Sequence, residues 1–177
     1  MSMTQIAFIR KADLPTNKQI QEVIQKLGYD FEILDDLEKQ IDEDGLECSI
    51  NGHKTYFETY LDEAENVITE TEAEWIKPDL TNQDTAISFV WGADFSAGAC
   101  IGLISIALTD LSNALVYYMD DQMKYTREML MADTPQFLAE LNKQTNPNVK
   151  PLEVVKPNQT NNQTKSTFWD RLKSIFK

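Results

Sequence analysis

The side chains able to do chemistry are few, and their spacing does not assemble them. His53 is the single histidine, and it directly follows Asn51-Gly52, where an exposed turn residue is expected. A Ser-His-Asp or Cys-His arrangement would have to use it, and its sequence context supports neither. In Asp94-Phe95-Ser96-Ala97-Gly98 a serine follows a strand and opens a helix, as at a nucleophile elbow, but the glycine two positions before the serine is missing. Ser96 therefore reads as a first-turn residue. Asp42-Glu43-Asp44-Gly45 is acidic enough to suggest a calcium loop. Aligning Gly45 with that loop's invariant glycine puts Gln40 first and Asn51 twelfth, where carboxylates are required, so the match fails. There is no Cys/His set for zinc and no glycine-rich loop ending in Lys and Ser/Thr for phosphate. Asp120 and Asp121 follow an apolar strand and could form an acid/base pair; the competing reading is a solvated turn leading into a helix near Thr126. No catalytic residue, metal ligand or cofactor is assigned, and the chain is not expected to be an enzyme.

Charge is far more distinctive. The 177 residues hold 29 acidic against 16 basic side chains, a net of −13. Residues 30–74 hold sixteen acids against only Lys39 and Lys54. Residues 150–177 run the other way, with six basic and two acidic residues, which leaves −17 on the rest of the chain. A body this negative repels nucleic-acid phosphates and attracts basic protein surfaces. Aromatic residues lie among the acids: Tyr29, Tyr56, Phe57, Tyr60 and Trp75. Carboxylates steer a basic partner and pair with its Arg and Lys, while rigid rings bury area at an interface. The residues expected to bind a partner are Asp42, Glu43, Asp44, Tyr56, Glu58, Tyr60, Glu63 and Glu65.

The elements that must position these residues are legible in outline. Ile6–Ile9 suits a buried strand, and Thr16 with Gln19 has the capping-box spacing. Ile20, Val23, Ile24 and Leu27 then repeat at helical spacing up to Gly28. Residues 31–34 read as a strand and 35–44 as a short helix or surface loop. Asn51-Gly52 between residues 46–50 and 54–61 predicts a hairpin, with Tyr56, Glu58 and Tyr60 on one face of its second arm. A helix is expected within 62–76, ended by Pro78, then a buried strand over 87–91. Asp94 caps an apolar helix from Phe95 to about Leu111, in which Gly98 and Gly102 allow close packing and Cys100 is a small buried hydrophobe. A strand over 115–119 follows, and Thr134-Pro135 reads as a helix start. Cys48 and Cys100, the only cysteines, do not make a disulfide framework.

This order predicts an α+β fold, a mixed, largely antiparallel sheet with packed helices, over residues 1–142. Residues 143–166, rich in Asn, Gln, Thr and Pro, read as a flexible linker. Residues 167–177 read as an amphipathic tail, with Phe168, Trp169, Leu172, Ile175 and Phe176 interleaved with Arg171, Lys173 and Lys177. Residues 1–10 carry no secretory pattern, and the longest uncharged stretch, 95–109, is short for a membrane span. A cytoplasmic location is expected.

In size, acidity and element order, and in Ile87-Ser88-Phe89-Val90-Trp91-Gly92-Ala93-Asp94 leading into a glycine-containing helix, residues 1–142 resemble the small acidic immunity proteins that bacteria pair with antibacterial toxins. The resemblance implies a non-catalytic protein that neutralises a toxin domain by blocking its active site or substrate access. It assigns no residue. Two other classes stay open on the residues alone: an enzyme with a carboxylate-based site, and a peripheral membrane or scaffold protein that uses the tail.

Overall fold

The computed structural model describes residues 2–146. The expected linker and tail therefore lie outside the described residues, apart from the first few linker positions. The first strand, β1 (Met3–Ile9), is apolar at five of its seven positions and is buried on both faces of the sheet. The predicted capping box then starts α1 (Asn17–Lys26): the Gln19 amide donates to Thr16 Oγ1, and the Thr16 amide donates to Gln19 Oε1. Beyond it come β2 (Phe31–Ile33), β3 (Leu46–Ile50) and β4 (His53–Glu63). The β3–β4 loop is the two residues Asn51 and Gly52, whose positive φ values of 49° and 79° match the right-handed twist of the strands they join. Then follow α2 (Ala64–Glu70), a 3-10 helix (Glu74–Asp79), β5 (Thr85–Trp91), α3 (Phe95–Ser112), β6 (Leu115–Tyr118), β7 (Met123–Tyr125) and α4 (Arg127–Thr145).

The seven strands form one sheet in the order β2-β3-β4-β5-β1-β6-β7. The α+β class is as expected, and among the described residues all six strand pairings are antiparallel, with no parallel pair to make the sheet mixed. The first and fifth strands meet at the centre, where Ile6 lies opposite Ser88 and Tyr117.

Strand alternation divides the buried side chains between two cores. Ala7, Phe57, Ile87, Phe89 and Val116 face α1, α3 and α4 in the larger core. Ile6, Phe8, Ala86 and Tyr117 face the other way, against Val67 and Ile68 of α2 and Ile76 of the 3-10 helix. Trp75 packs edge-on to Tyr117, with ring centroids 5.4 Å apart.

Fifteen of the eighteen residues of α3 are buried. The helix is long and apolar enough to cross a membrane by length and composition, yet it is mostly buried inside this fold, where it packs on α4, α1 and the sheet. Gly98 and Gly102 face α4. A Cβ at Gly98 would collide with the Phe137 ring, and one at Gly102 would lie 3.1 Å from Thr134 Oγ1. Cys100 is fully buried, as expected, and so is Cys48; both are free thiols.

Of the two readings open for residues 35–44, the loop is the one found, anchored by buried Ile41 and bridged by Gln40 to Thr16. Three other local readings change. Pro78 does not end its helix but sits inside the last 3-10 turn. Asp120 and Asp121 do lie in a turn, but it leads to β7, a three-residue strand too short to announce itself, and only then to the helix at Thr126. Thr134-Pro135 does not start a helix. Thr126 caps α4 by accepting from the Met129 amide, and the helix runs through Pro135 to Thr145, three residues past the expected boundary at Asn142. An interior proline forfeits a backbone hydrogen bond; here burial of Leu130, Thr134, Phe137 and Leu141 holds the helix together across that point.

Two outcomes follow from this packing. Gly98→Ala should destabilise the fold by about 1–3 kcal/mol in urea unfolding, because overpacking against Phe137 outweighs the roughly 1 kcal/mol that alanine gains in an exposed helix. A stabilised variant would mean that the ring yields freely. Asp79 accepts from the Tyr117 hydroxyl at 2.6 Å and pairs with Lys124 at 3.2 Å, and these contacts hold its carboxyl below the usual range. A depressed carboxylate contributes stability that is present above its unfolded pKa of about 4 and lost as pH falls through the folded value. Asp79→Asn should therefore flatten the acid limb of stability below about pH 4, read by thermal melts across pH.

Candidate partner-binding face

Among the described residues, the outer face of the sheet is only half covered. Helix α2 and the 3-10 helix lie over β5, β1 and β6. Towards the β3–β4 end the outward residues of β4 stay exposed, because the strand alternates: Thr55, Phe57 and Thr59 point to the core, while Tyr56, Glu58 and Tyr60 point out. Tyr56 is 56% exposed and Tyr60 50%. Cross-strand register extends this face sideways. Glu47 of β3 stands opposite Tyr56, Val90 of β5 opposite Glu58, and Ser88 opposite Tyr60.

Both rings are oriented by hydrogen bonds. The Tyr60 hydroxyl donates to Glu58 Oε2 at 2.6 Å, and that carboxylate raises the phenol pKa, keeping the proton in place. The Tyr56 hydroxyl donates to the Asp44 carbonyl at 2.8 Å. Behind the same loop, Thr59 Oγ1 donates to the Asp42 carbonyl and accepts from the Gly45 amide. The acidic loop is thus tied to β4 from both faces of the strand. Gly45 has φ 92°, and a Cβ there would strike the Tyr56 ring and hydroxyl, so glycine is needed both for the turn and for the close approach.

The predicted binding residues fall into three places. Asp42, Glu43 and Asp44 sit exposed in the loop before β3, next to Tyr56. Tyr56, Glu58 and Tyr60 form a row about 13 Å long on β4. Glu63 ends that strand about 23 Å from Tyr56, and Glu65, in the first turn of α2, is ion-paired with Lys77 at 2.8 Å. The first six are brought together; Glu63 and Glu65 are displaced to the far end, with Glu65 partly neutralised. Reading the sequence missed Glu47, Asp35 and Asp36. Alternation on β3 could have found Glu47, which faces out between buried Leu46 and Cys48. Asp35 and Asp36 carry no periodic signal.

These acids border a cleft of about 220 Å³ between the start of α1, the 35–44 loop and the start of β3. It is bounded by Asp35, Asp36, Asp42, Asp44 and Glu47, with Lys39 the one cation among its lining residues and Tyr56 beside it. Several acids are oriented by backbone amides. Asp35 Oδ2 accepts from Glu47, Asp36 Oδ1 from Glu38, and Asp42 Oδ1 from Asp44. Among the described residues, no group of three or more His, Cys, Asp or Glu side chains converges to hold a metal ion.

The other chemistry-bearing residues are placed elsewhere. His53 is half-buried at the β3–β4 turn. Ser96 is buried, and its hydroxyl donates at 2.6 Å to Asp94, the helix-capping carboxylate that also accepts from Thr55. A void of about 20 Å³ between α3, α4 and the sheet, room for one water, is bordered by Trp91 and Asp133. Neither cavity is lined by Asp120 or Asp121.

Comparison with protein-family models, curated proteins and solved structures finds no match to this chain.

The Tyr56 hydroxyl is the checkable link between the loop and the sheet. Tyr56→Phe should lower global stability by about 1 kcal/mol, the usual net worth of one hydrogen bond. It should also speed amide exchange at Asp44 and Gly45 while leaving Phe57 and Phe89 protected. Unchanged loop exchange would show that Thr59 alone holds the acidic segment.

Proposed function

We propose that this chain is a non-catalytic binding protein that acts in the cytoplasm and occupies a basic protein domain, in the manner of an immunity protein neutralising a cognate toxin by covering its active site or substrate approach. The observation that carries the reading is the uncovered outer face around β4. There two half-exposed, oriented tyrosines, Tyr56 and Tyr60, stand among Asp42, Glu43, Asp44, Glu47 and Glu58.

Physical chemistry supports each part of it. The rings offer large contact area at little cost in side-chain entropy, since hydrogen bonds already orient them. The surrounding carboxylates raise the encounter rate with a cationic partner and disfavour an anionic one such as nucleic acid. The toxin itself comes from the resemblance in size, acidity and element order, and charge complementarity suits a basic toxin such as a nuclease.

The test is association kinetics with a basic domain co-purified from the native host, such as the product of the neighbouring gene. The association rate should fall steeply as salt rises, since exposed charges are screened over about 8 Å at physiological ionic strength. Reversing Asp42, Glu43 and Asp44 together to Lys should slow association at least tenfold, with the melting temperature little changed because all three are exposed. A rate indifferent to both salt and the triple reversal would remove the acidic face from the function.

A further inference from the structure

The cleft beside Tyr56 is more specific than a diffuse negative surface. Its lining holds five carboxylates against the single ammonium of Lys39. The residue that marks it as a receptor is Asn17, at the first position of α1. Asn17 is only 2% exposed and lines the cleft, and its Nδ2 donates to the Asp36 carbonyl at 2.9 Å. Its Oδ1 is buried and, among the described residues, receives no hydrogen bond. A buried acceptor without a donor is uncommon in folded proteins, and the group that satisfies it must bring an N–H or O–H. Turning the amide over would not help, since it would aim the NH₂ away from the Asp36 carbonyl and point an oxygen at another oxygen.

The kind of donor follows from how the acceptors are laid out. They do not converge, so a compact metal ion finds no coordination shell. A spread of acceptors suits a planar cation with several donors. Guanidinium has five N–H groups in a fixed fork, whereas an ammonium has three on one small centre. Tyr56, half-exposed and held by its hydroxyl, offers a ring on which a guanidinium plane can stack.

We infer that this cleft receives one guanidinium group, an arginine side chain of the basic partner, with Asn17 Oδ1 and the carboxylates of Asp42 and Asp44 as acceptors and the Tyr56 ring as its wall. This rests on the proposed binding of a basic protein and names the side chain by which that partner is anchored.

The probe is N-acetyl-arginine amide, titrated into the full-length ¹⁵N-labelled chain at constant ionic strength, with N-acetyl-lysine amide as comparison. Saturable shifts are expected at the Asn17 side-chain amide and the Gly45 and Glu47 backbone amides, with the lysine probe at least tenfold weaker. Asn17→Leu keeps the size and removes the acceptor, and should weaken the arginine probe about tenfold. Should that variant not fold, Asp42→Asn with Asp44→Asn decides, because both positions are exposed and Asn keeps the oxygen that accepts from the Asp44 amide. Equal response to the two probes, shifts that never saturate, or full affinity in the double variant would overturn the inference. The two proposals fail separately. A partner that binds in a salt-dependent way while the cleft ignores arginine removes only the anchor. A cleft that binds arginine in a chain with no basic partner removes only the proposed function.

Discussion

An eighteen-residue helix with no polar face has to be surrounded, and most of this fold is arranged to do it. With fifteen of its residues buried, α3 needs the sheet beneath it, α1 on one flank and α4 on the other. Gly98 and Gly102 allow α4 close enough to seal that side, and Gln5 of the central strand reaches up to bond Ser105 within the helix at 2.6 Å. Among the described elements α3 has the most buried residues, and the hydrophobic effect scales with the apolar area removed from water.

The consequence appears on the opposite face of the sheet. Among the described residues, three of the four α-helices lie on one side, and only α2 and the 3-10 helix remain for the other. They suffice for Ile6, Phe8, Ala86 and Tyr117 at the centre. They do not reach the outward row of β4. A strand exposed on one face alternates apolar and polar residues, and β4 does so in an unusual way, with tyrosine in two of the three outward positions from 56 to 60. The uncovered face is therefore a product of how the core is built, and its composition is what makes it suited to binding.

Electrostatics is unevenly spread over this frame. Elsewhere acids are offset by ion pairs, such as Arg10–Asp13 within one 3-10 turn and Arg127–Asp110 between α4 and α3, each of which contributes little to stability. Around the 35–47 segment the acids are not offset in this way, with Lys39 the single cation on the cleft lining. Self-repulsion there is a cost to folding. It is limited by backbone amides that hold Asp35, Asp36 and Asp42 in place, and by Thr59 and Tyr56, which tie the loop to β4.

Much of the architecture was legible from residue order alone. The Thr16–Gln19 capping box, the Asn51-Gly52 hairpin, the Asp94 cap and the apolar run of α3 are local signals, decided by backbone sterics and nearest neighbours, and the α+β class follows from their sequence. The exposure of Tyr56, Glu58 and Tyr60 was readable too, since strand alternation is a two-residue rule. The remainder depended on contacts between distant segments. Pro135 stays inside α4 because that helix packs on α3, with Phe137 against Gly98 and Leu141 buried in the same core. Glu65 drops out of the acidic face because Lys77 reaches it from the 3-10 helix. Above all, Asn17, Asp36 and Asp44 meet at one cleft only once the 35–44 loop folds back over the start of α1. No periodicity announces that meeting, because loop closure is governed by long-range packing and not by local preference.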